Sequence, residues 1–310
     1  GFATLLRGAE SVCLDLTRER GRSHLAALAA RADVVVESFR PGTMTGWGLG
    51  YDALAVSNPR LVWCSLSSFG RAEAVRHRLA HDLNLIALTG ALEAMGSEQP
   101  RIQLADVGAG LLAASAVLAA LLRRERAGIG GRVDQPLVTG PLPFMTWRWA
   151  EAVADRERVV DMLLGGGCPC YRTYRCGDGE LMAVSALEPK FWIGFVSMLG
   201  AEELDAAGFA TGDEGAAAVT RVEELLAAHP RQHWLTLGEA RGLPLSAVYP
   251  ADRAGRDRVF DEADLAEDLP LPGGGSQPGV GPWLTEIGRT PGCPAPRLGE
   301  HTETVLADID

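Results

Sequence analysis

Over the first seventy residues, short apolar runs alternate with segments of helical period. Ser11-Val12-Cys13-Leu14-Asp15-Leu16 reads as a short strand. Residues 20–32 put Leu25, Leu28 and Ala29 on one helical face. Asp33-Val34-Val35-Val36-Glu37 has three β-branched residues in a row, the pattern of a buried strand, and Arg40-Pro41-Gly42 breaks it. Tyr51 to Val56 predicts a short helix, and Leu61 to Leu66 a third strand. Strands alternating with helices imply an α/β fold with a parallel sheet covered on both faces.

Two helices are expected next, from about Asp82 to Ala94 and from about Asp106 to Arg126. The second is apolar almost all round (Leu111, Leu112, Val117, Leu118, Leu121, Leu122), the pattern of a buried helix. Arg123, Arg124 and Arg126 followed by Gly128 suit its C-terminal end. Composition changes near Gly165-Gly166-Gly167. Residues 171–184 predict a hairpin turning at Gly177-Asp178-Gly179. Helices rich in Ala, Glu and Leu follow to about 240. Residues 270–282 are rich in Pro and Gly and read as a linker or return loop. A chain of 310 residues favours two domains. The expected division is a large domain over 1–165, a small one over 166–270, and a tail, 271–310, returning to the first.

Charge and cysteine usage narrow the function. The formal charge is −11, which argues against nucleic-acid or anionic-membrane binding. An anionic substrate would depend on local arginines, because Lys190 is the only lysine. Six scattered cysteines in a chain this long make a disulfide framework unexpected. Cys168, Cys170 and Cys176 lack a fourth ligand at zinc spacing and read as packed thiols, so no metal is expected. The sequence shows no secretory leader, and no apolar run reaches the about 18 residues needed to cross a membrane. A cytoplasmic location is expected.

Three short strings carry candidate chemistry. His81-Asp82-Leu83-Asn84 and Ala105-Asp106-Val107-Gly108-Ala109-Gly110 each set an acid/base residue at a predicted helix start. Taken singly, Asp82 and Asp106 read as helix caps and His81 as an exposed histidine. Gly108 and Gly110 add something, since glycine in a first turn lets a ligand or another backbone come close. Glu188-Pro189 marks a strand end and helix start.

Read together and in order, these strings resemble one enzyme family, the family III CoA-transferases, and within it the α-methylacyl-CoA racemase branch. "HDLNLIALTGAL", "ADVGAGLLAASAVLAALLRRERAGIGGRVD" and "YRTYRCGDGELMAVSALEPKFW" resemble its active-site segments. "ADVVVESFRPGTMTGWGLGYDALAVSNPRLVWCSLSSFG" resembles its CoA-binding half, and "APRLGEHT" its C-terminal signature. The resemblance implies a Rossmann-like large domain, a smaller α/β domain and an interlocked homodimer. It implies that His81 and Asp106 exchange a proton on opposite faces of the α-carbon of a 2-methylacyl-CoA, through a planar enolate. Glu188 would hydrogen-bond His81, the backbone N–H of Asp82 would face the enolate oxygen, and Arg40, Asp82 and Leu14 would contact CoA. CoA would enter as part of the thioester substrate, with no separate cofactor. In the transferase branch the aspartate is instead a nucleophile forming an aspartyl-CoA thioester. A non-catalytic remnant of the family is the third reading.

The string departs from the family at several points. The family's first strand and helix have no counterpart in the string, and a true truncation there would leave a sheet edge open. Gly46 stands where the racemase branch carries a CoA-contacting arginine. Gly70-Arg71-Ala72-Glu73-Ala74 replaces a glycine-rich turn, Leu85 a tyrosine, and Val138-Thr139-Gly140 a Val-Asp-Gly. These changes surround the acyl and CoA pockets more than the acid/base set.

Overall fold

The computed structural model describes residues 5–153, 163–263, 265–271, 274–280 and 294–309. The chain divides into two units. One is Gly1–Trp147 with Asp268–Gly279 and Leu284–Asp310; the other is Arg148–Glu267 with Val280–Trp283. The division after Trp147 falls earlier than the expected residue 165.

The first unit alternates helix and strand: α1 (Glu19–Arg31), β1 (Val34–Glu37), α2 (Thr43–Gly46), α3 (Tyr51–Ser57), β2 (Val62–Ser67), α4 (Asp82–Leu88), α5 (Ala91–Ala94), α6 (Leu104–Ala127) and β3 (Gly131–Pro136). Helix α7 (Leu142–Val153) begins in this unit. The strands pair in the order β1-β2-β3, all parallel, with Val35 opposite Trp63 and Cys64 opposite Val133. Central β2 is buried from Val62 to Ser65, which is why its sequence runs apolar instead of alternating. Ala29, Met44, Leu49, Leu54, Leu61 and Trp63 form one core cluster. Leu85, Ile86, Ala91, Ala105 and Met145 form another, under the starts of α4 and α6.

Four expectations are corrected. Ser11–Leu16 joins no described sheet, and Leu16 lies in a turn. Ser11 pairs with the C-terminal segment instead: its N–H donates to His301 Nδ1 (3.1 Å) and its carbonyl accepts from His301 N–H (2.9 Å). The single helix expected over 82–94 is broken at Gly90, whose φ of 80° is left-handed, after the buried Thr89 hydroxyl turns back onto Leu85 and Ile86 carbonyls. Residues 270–282 are not simply a linker, since β7 (Ala266–Pro270) and β8 (Ser276–Val280) form a two-stranded sheet.

The fourth correction concerns α6, which is not buried all round. Val107, Leu111, Leu118 and Leu122 are each more than half exposed. At 100° per residue these four fall within one narrow stripe, opposite the buried Ala105, Gly108, Ala109 and Ala113. With alanines and glycines counted, α6 is also long and apolar enough to cross a membrane by length and composition, at mean hydropathy 1.9. Uncharged small residues fill the gaps between its leucines, so the expectation that no segment reaches that length fails here.

The second unit holds an antiparallel sheet, β4-β5-β6 (Tyr171–Arg175, Leu181–Ser185, Leu245–Ala247), and helices α8 (Pro189–Leu199), α9 (Gly212–Leu226) and α10 (Arg231–Ala240). The expected hairpin is present, with Tyr174 opposite Met182. Tyr174, Met182 and Val184 face Trp192, Phe195, Val196, Val222 and Leu226 in one core. Its aromatic polar tips are satisfied: Trp192 Nε1 donates to Leu204 O (2.8 Å) and Tyr174 Oη to Pro169 O (2.7 Å). Cys168, Cys170 and Cys176 are buried in this core. Burial pushes their thiols up, Cys170 and Cys176 to about 11, so they pack as thiols and are poor nucleophiles.

The start of α6 is fixed by a close backbone approach. A Cβ on Gly108 would lie 2.5 Å from the Gly140 carbonyl oxygen. One on Gly140 would lie 2.6 Å from Ala109 N and collide with the Ala105 carbonyl. Gly110, by contrast, faces open space. Gly140→Ala is therefore expected to cost at least the about 1–3 kcal/mol of ordinary overpacking, seen as a lower urea midpoint. Gly110→Ala should leave the midpoint unchanged or raise it; equal effects of the two would refute the close-approach account.

Candidate active site

His81 and Asp106 lie in the first unit, each at the start of a helix. His81 is the N-cap residue of α4, in extended conformation, and Asp106 is the third residue of α6. Helix α4 follows β2 through residues 68–81, so it begins beyond the carboxyl end of the sheet. Helix α6 feeds β3, and a helix feeding a parallel strand runs against it, so its start lies at the same edge. The connection between β2 and α4 folds back on itself. Ser68 Oγ donates to Ala80 O (3.0 Å), and Val138 N–H, just past β3, donates to Ser68 O (3.1 Å).

Asn84 holds the backbone of His81. Its side-chain oxygen accepts from His81 N–H (3.1 Å), and its own N–H donates to His81 O (2.9 Å). This is the reach-back half of a capping box. Sequence reasoning missed Asn84, although its three-residue spacing from His81 carried the signal.

Asp82 does something its sequence did not announce. One oxygen of its carboxylate accepts from both Ala105 N–H (2.7 Å) and Asp106 N–H (3.0 Å). These are the second and third N–H groups of α6, the ones a cap normally serves. Gln103, the N-cap residue of α6, makes no side-chain cap bond. So Asp82 caps the other helix, and Asp106 is not the cap its position suggested.

The Asp106 carboxyl sits above the ordinary aspartate range. Partial desolvation is the main cause and the negative charge of Asp82 adds to it, while His81 opposes. Asp82, His81 and Asp106 are thus brought together. Glu188 is in the second unit, exposed, immediately before α8, where its carbonyl accepts from Phe191 N–H (2.8 Å). Leu14 is half-buried on the segment before α1. Arg40 is exposed and lines a cleft beside the carboxyl end of β1 together with Glu37, Ser65, Arg71 and Arg132. Arg132 ion-pairs with Asp52 and stacks over Tyr51, 4.7 Å from the ring centre. Arg71 and Arg132 were not singled out from sequence; only the fold brings them beside Arg40.

Comparison with known proteins gives this geometry its context. The model of CoA-transferase family III matches residues 1–302. The chain belongs to that family. It is 31% identical to the alpha-methylacyl-CoA racemase of Mus musculus, over 98% of this chain and 82% of the relative. It is also 29% identical to the probable fatty acyl-CoA transferase Rv3272 of Mycobacterium tuberculosis, over 97% and 82%. The crystal structure of Rv3272 superposes with a TM-score of 0.79 at 27% identity, covering 98% of this chain and 86% of that one. A CAIB/BAIF family protein from Brucella suis has the same fold, with a TM-score of 0.82 over 100% of this chain and 84% of that one. Family members thus include both racemases and transferases at comparable distance from this chain.

The raised Asp106 carboxyl has a consequence for stability. Ionised, it costs the folded chain; the cost is fully present above its folded-state pKa and vanishes below the ordinary value of about 3.9. Asp106→Asn is therefore expected to melt higher than the native chain at pH 7. The difference should shrink as pH falls toward 4. Equal or lower melting of Asp106→Asn at pH 7 would refute the assignment.

Proposed function

We propose that this chain inverts the α-carbon of a 2-methylacyl-CoA, or a related α-substituted acyl-CoA, by 1,1-proton transfer. The observation that carries the reading is the pairing of His81 with Asp106 at two helix starts joined by the Asp82 carboxylate. A transferase needs the aspartate alone; inversion needs a second acid/base group.

The chemistry follows from the two groups. One, unprotonated, takes the α-proton; the electron pair moves into the thioester carbonyl and leaves an enolate. The other, protonated, returns a proton to the opposite face, and the two groups exchange protonation states. Histidine suits this because its ordinary pKa is near neutrality. Aspartate needs the upward shift that desolvation and Asp82 supply. The Asp82 N–H is at the first helical position of α4, outside the intrahelical ladder, and is the donor we assign to the enolate oxygen. Glu188 is assigned to the His81 imidazole, contributed by the second unit of the same chain or of a partner. Arg40, Arg71 and Arg132 are assigned to the phosphates of CoA, with Arg71 and Arg132 supplying charge that Gly46 does not.

Transferase chemistry at Asp106 is the second reading, favoured by the exposure of that residue at its helix start. There the carboxylate would attack the thioester carbonyl carbon and expel CoA thiolate; the thiolate would then attack the aspartyl carbonyl of the mixed anhydride, releasing the donor acid as its carboxylate and leaving an aspartyl-CoA thioester. A single enantiomer of a 2-methylacyl-CoA incubated in D2O separates the two. Racemisation predicts α-deuteration with loss of chirality, falling by about 10²–10⁴ in His81→Ala. Labelled CoA passing to a free acid, undiminished in His81→Ala and with no α-exchange, would establish the transferase instead.

The exposed stripe of α6, with Phe144 and Trp147 at the start of α7 each 61% exposed, supports a homodimer that covers it. An interlocked pair of chains is our assignment. Light scattering should give twice 32.9 kDa; a monomer at micromolar concentration would refute it.

A further inference from the structure

Asp82 and Asp106 pose a problem that their positions resolve. An aspartate at the third position of a helix has free N–H groups within reach, and its carboxylate gains by turning back onto them. Such a carboxylate would be a weakened base aimed away from any ligand. In this chain those donors are already taken, because Asp82 accepts from Ala105 and Asp106 N–H at 2.7 and 3.0 Å. The same carboxylate puts a second negative charge beside Asp106.

We propose that Asp82 is the positioning residue of this site: its carboxylate occupies two free N–H donors of α6, leaves the Asp106 carboxyl to the substrate, and sets a second negative charge beside it. This rests on the racemase reading for its chemical purpose. The geometry that motivates it stands within the first unit alone.

Two contributions could compete with it. The charged groups that bear on Asp106 are Asp82 and, in the opposite sense, His81. The turn Leu137–Thr139 and Gly140, packed against the same start of α6, carry no titratable side chain. Desolvation acts in the same direction as Asp82 and survives its replacement. Removing the Asp82 charge should therefore lower the Asp106 titration midpoint without returning it to that of a free aspartate.

Asp82→Asn is the informative variant, since asparagine keeps an oxygen acceptor for the two N–H groups and loses only the charge. The measurement is a titration of ligand-free protein with 13C-labelled aspartate carboxyls by NMR, Asp106 being assigned from the signal lost in Asp106→Asn. The expected result is a lower Asp106 midpoint in Asp82→Asn than in the native chain. An unmoved or higher midpoint overturns the proposal. If Asp82→Asn does not fold, Asp82→Ser, an uncharged side chain that also caps, is read the same way. With substrate, the acid limb of the kcat/KM profile for α-proton exchange should move to lower pH, and the rate at pH 7 should fall about tenfold, short of the 10²–10⁴ loss of a whole general base. A merely structural role would lower the rate without moving that limb, and would count against the proposal. The titration needs no turnover. A native chain without α-proton exchange sinks the racemase reading, whereas an unmoved midpoint sinks the role of Asp82 alone.

Discussion

Two helix starts can share one reaction site only if their free N–H groups are satisfied by something other than the reacting carboxyl. That constraint organises the first unit. The parallel sheet brings α4 and α6 to its carboxyl edge, where both helices present unpaired donors. Asn84 serves the start of α4 and Asp82 the start of α6. Each cap is a side chain of α4, so the α4 sequence specifies both ends of the site. The backbone contact of Gly108 with Gly140 then fixes α6 from the other side. Asp106 is held between a polar clamp and a steric one, and neither uses its carboxyl.

The apolar stripe of α6 belongs to the same helix and has the opposite character. Its inward face is made of alanine and glycine, which allow close packing but bury little surface. Four of its larger side chains, Val107, Leu111, Leu118 and Leu122, point outward, while Leu104, Leu112, Val117 and Leu121 are half-buried. Apolar surface left outward in this way is held in water at a cost. This arrangement puts the outward apolar surface on the very helix that carries Asp106, so the homodimer proposed above would also exclude water near that helix.

Much of this was legible from the sequence, for physical reasons that can be named. Strand β2 announced itself because a strand buried on both faces must be continuously apolar; β1 was found by its β-branched run but is not the buried strand that run suggested, since it lies at the edge of the described sheet with Val36 60% exposed. The hairpin of β4 and β5 followed from its turn residues. His81 and Asp106 were recognisable as a pair only through resemblance, since spacing cannot show that two helix starts meet. Asp82 was misread because local rules assign a cap to the helix that follows it, while its carboxylate serves a helix twenty-two residues further on. Ser11–Leu16 was misread for a similar reason: its partner, His301, is 290 residues away. The failure in α6 has another origin. Hydrophobicity reports that a face must be covered, and says nothing of whether the same chain covers it.

One scaffold can support both inversion and CoA transfer because both use a carboxylate whose strength is raised by its surroundings. Desolvation and the Asp82 charge make Asp106 a better base and a better nucleophile at once, so they cannot by themselves select the reaction. Selection rests on aim. Proton transfer requires the carboxylate to face the α-hydrogen, whereas transfer requires it to face the adjacent carbonyl carbon, about one bond length away. A shift of that size is set by the backbone of α6, which Gly140 and Asp82 hold. The second acid/base group then decides whether a proton removed on one face can be replaced on the other. In the racemase reading proposed above, His81 at the neighbouring helix start is that group.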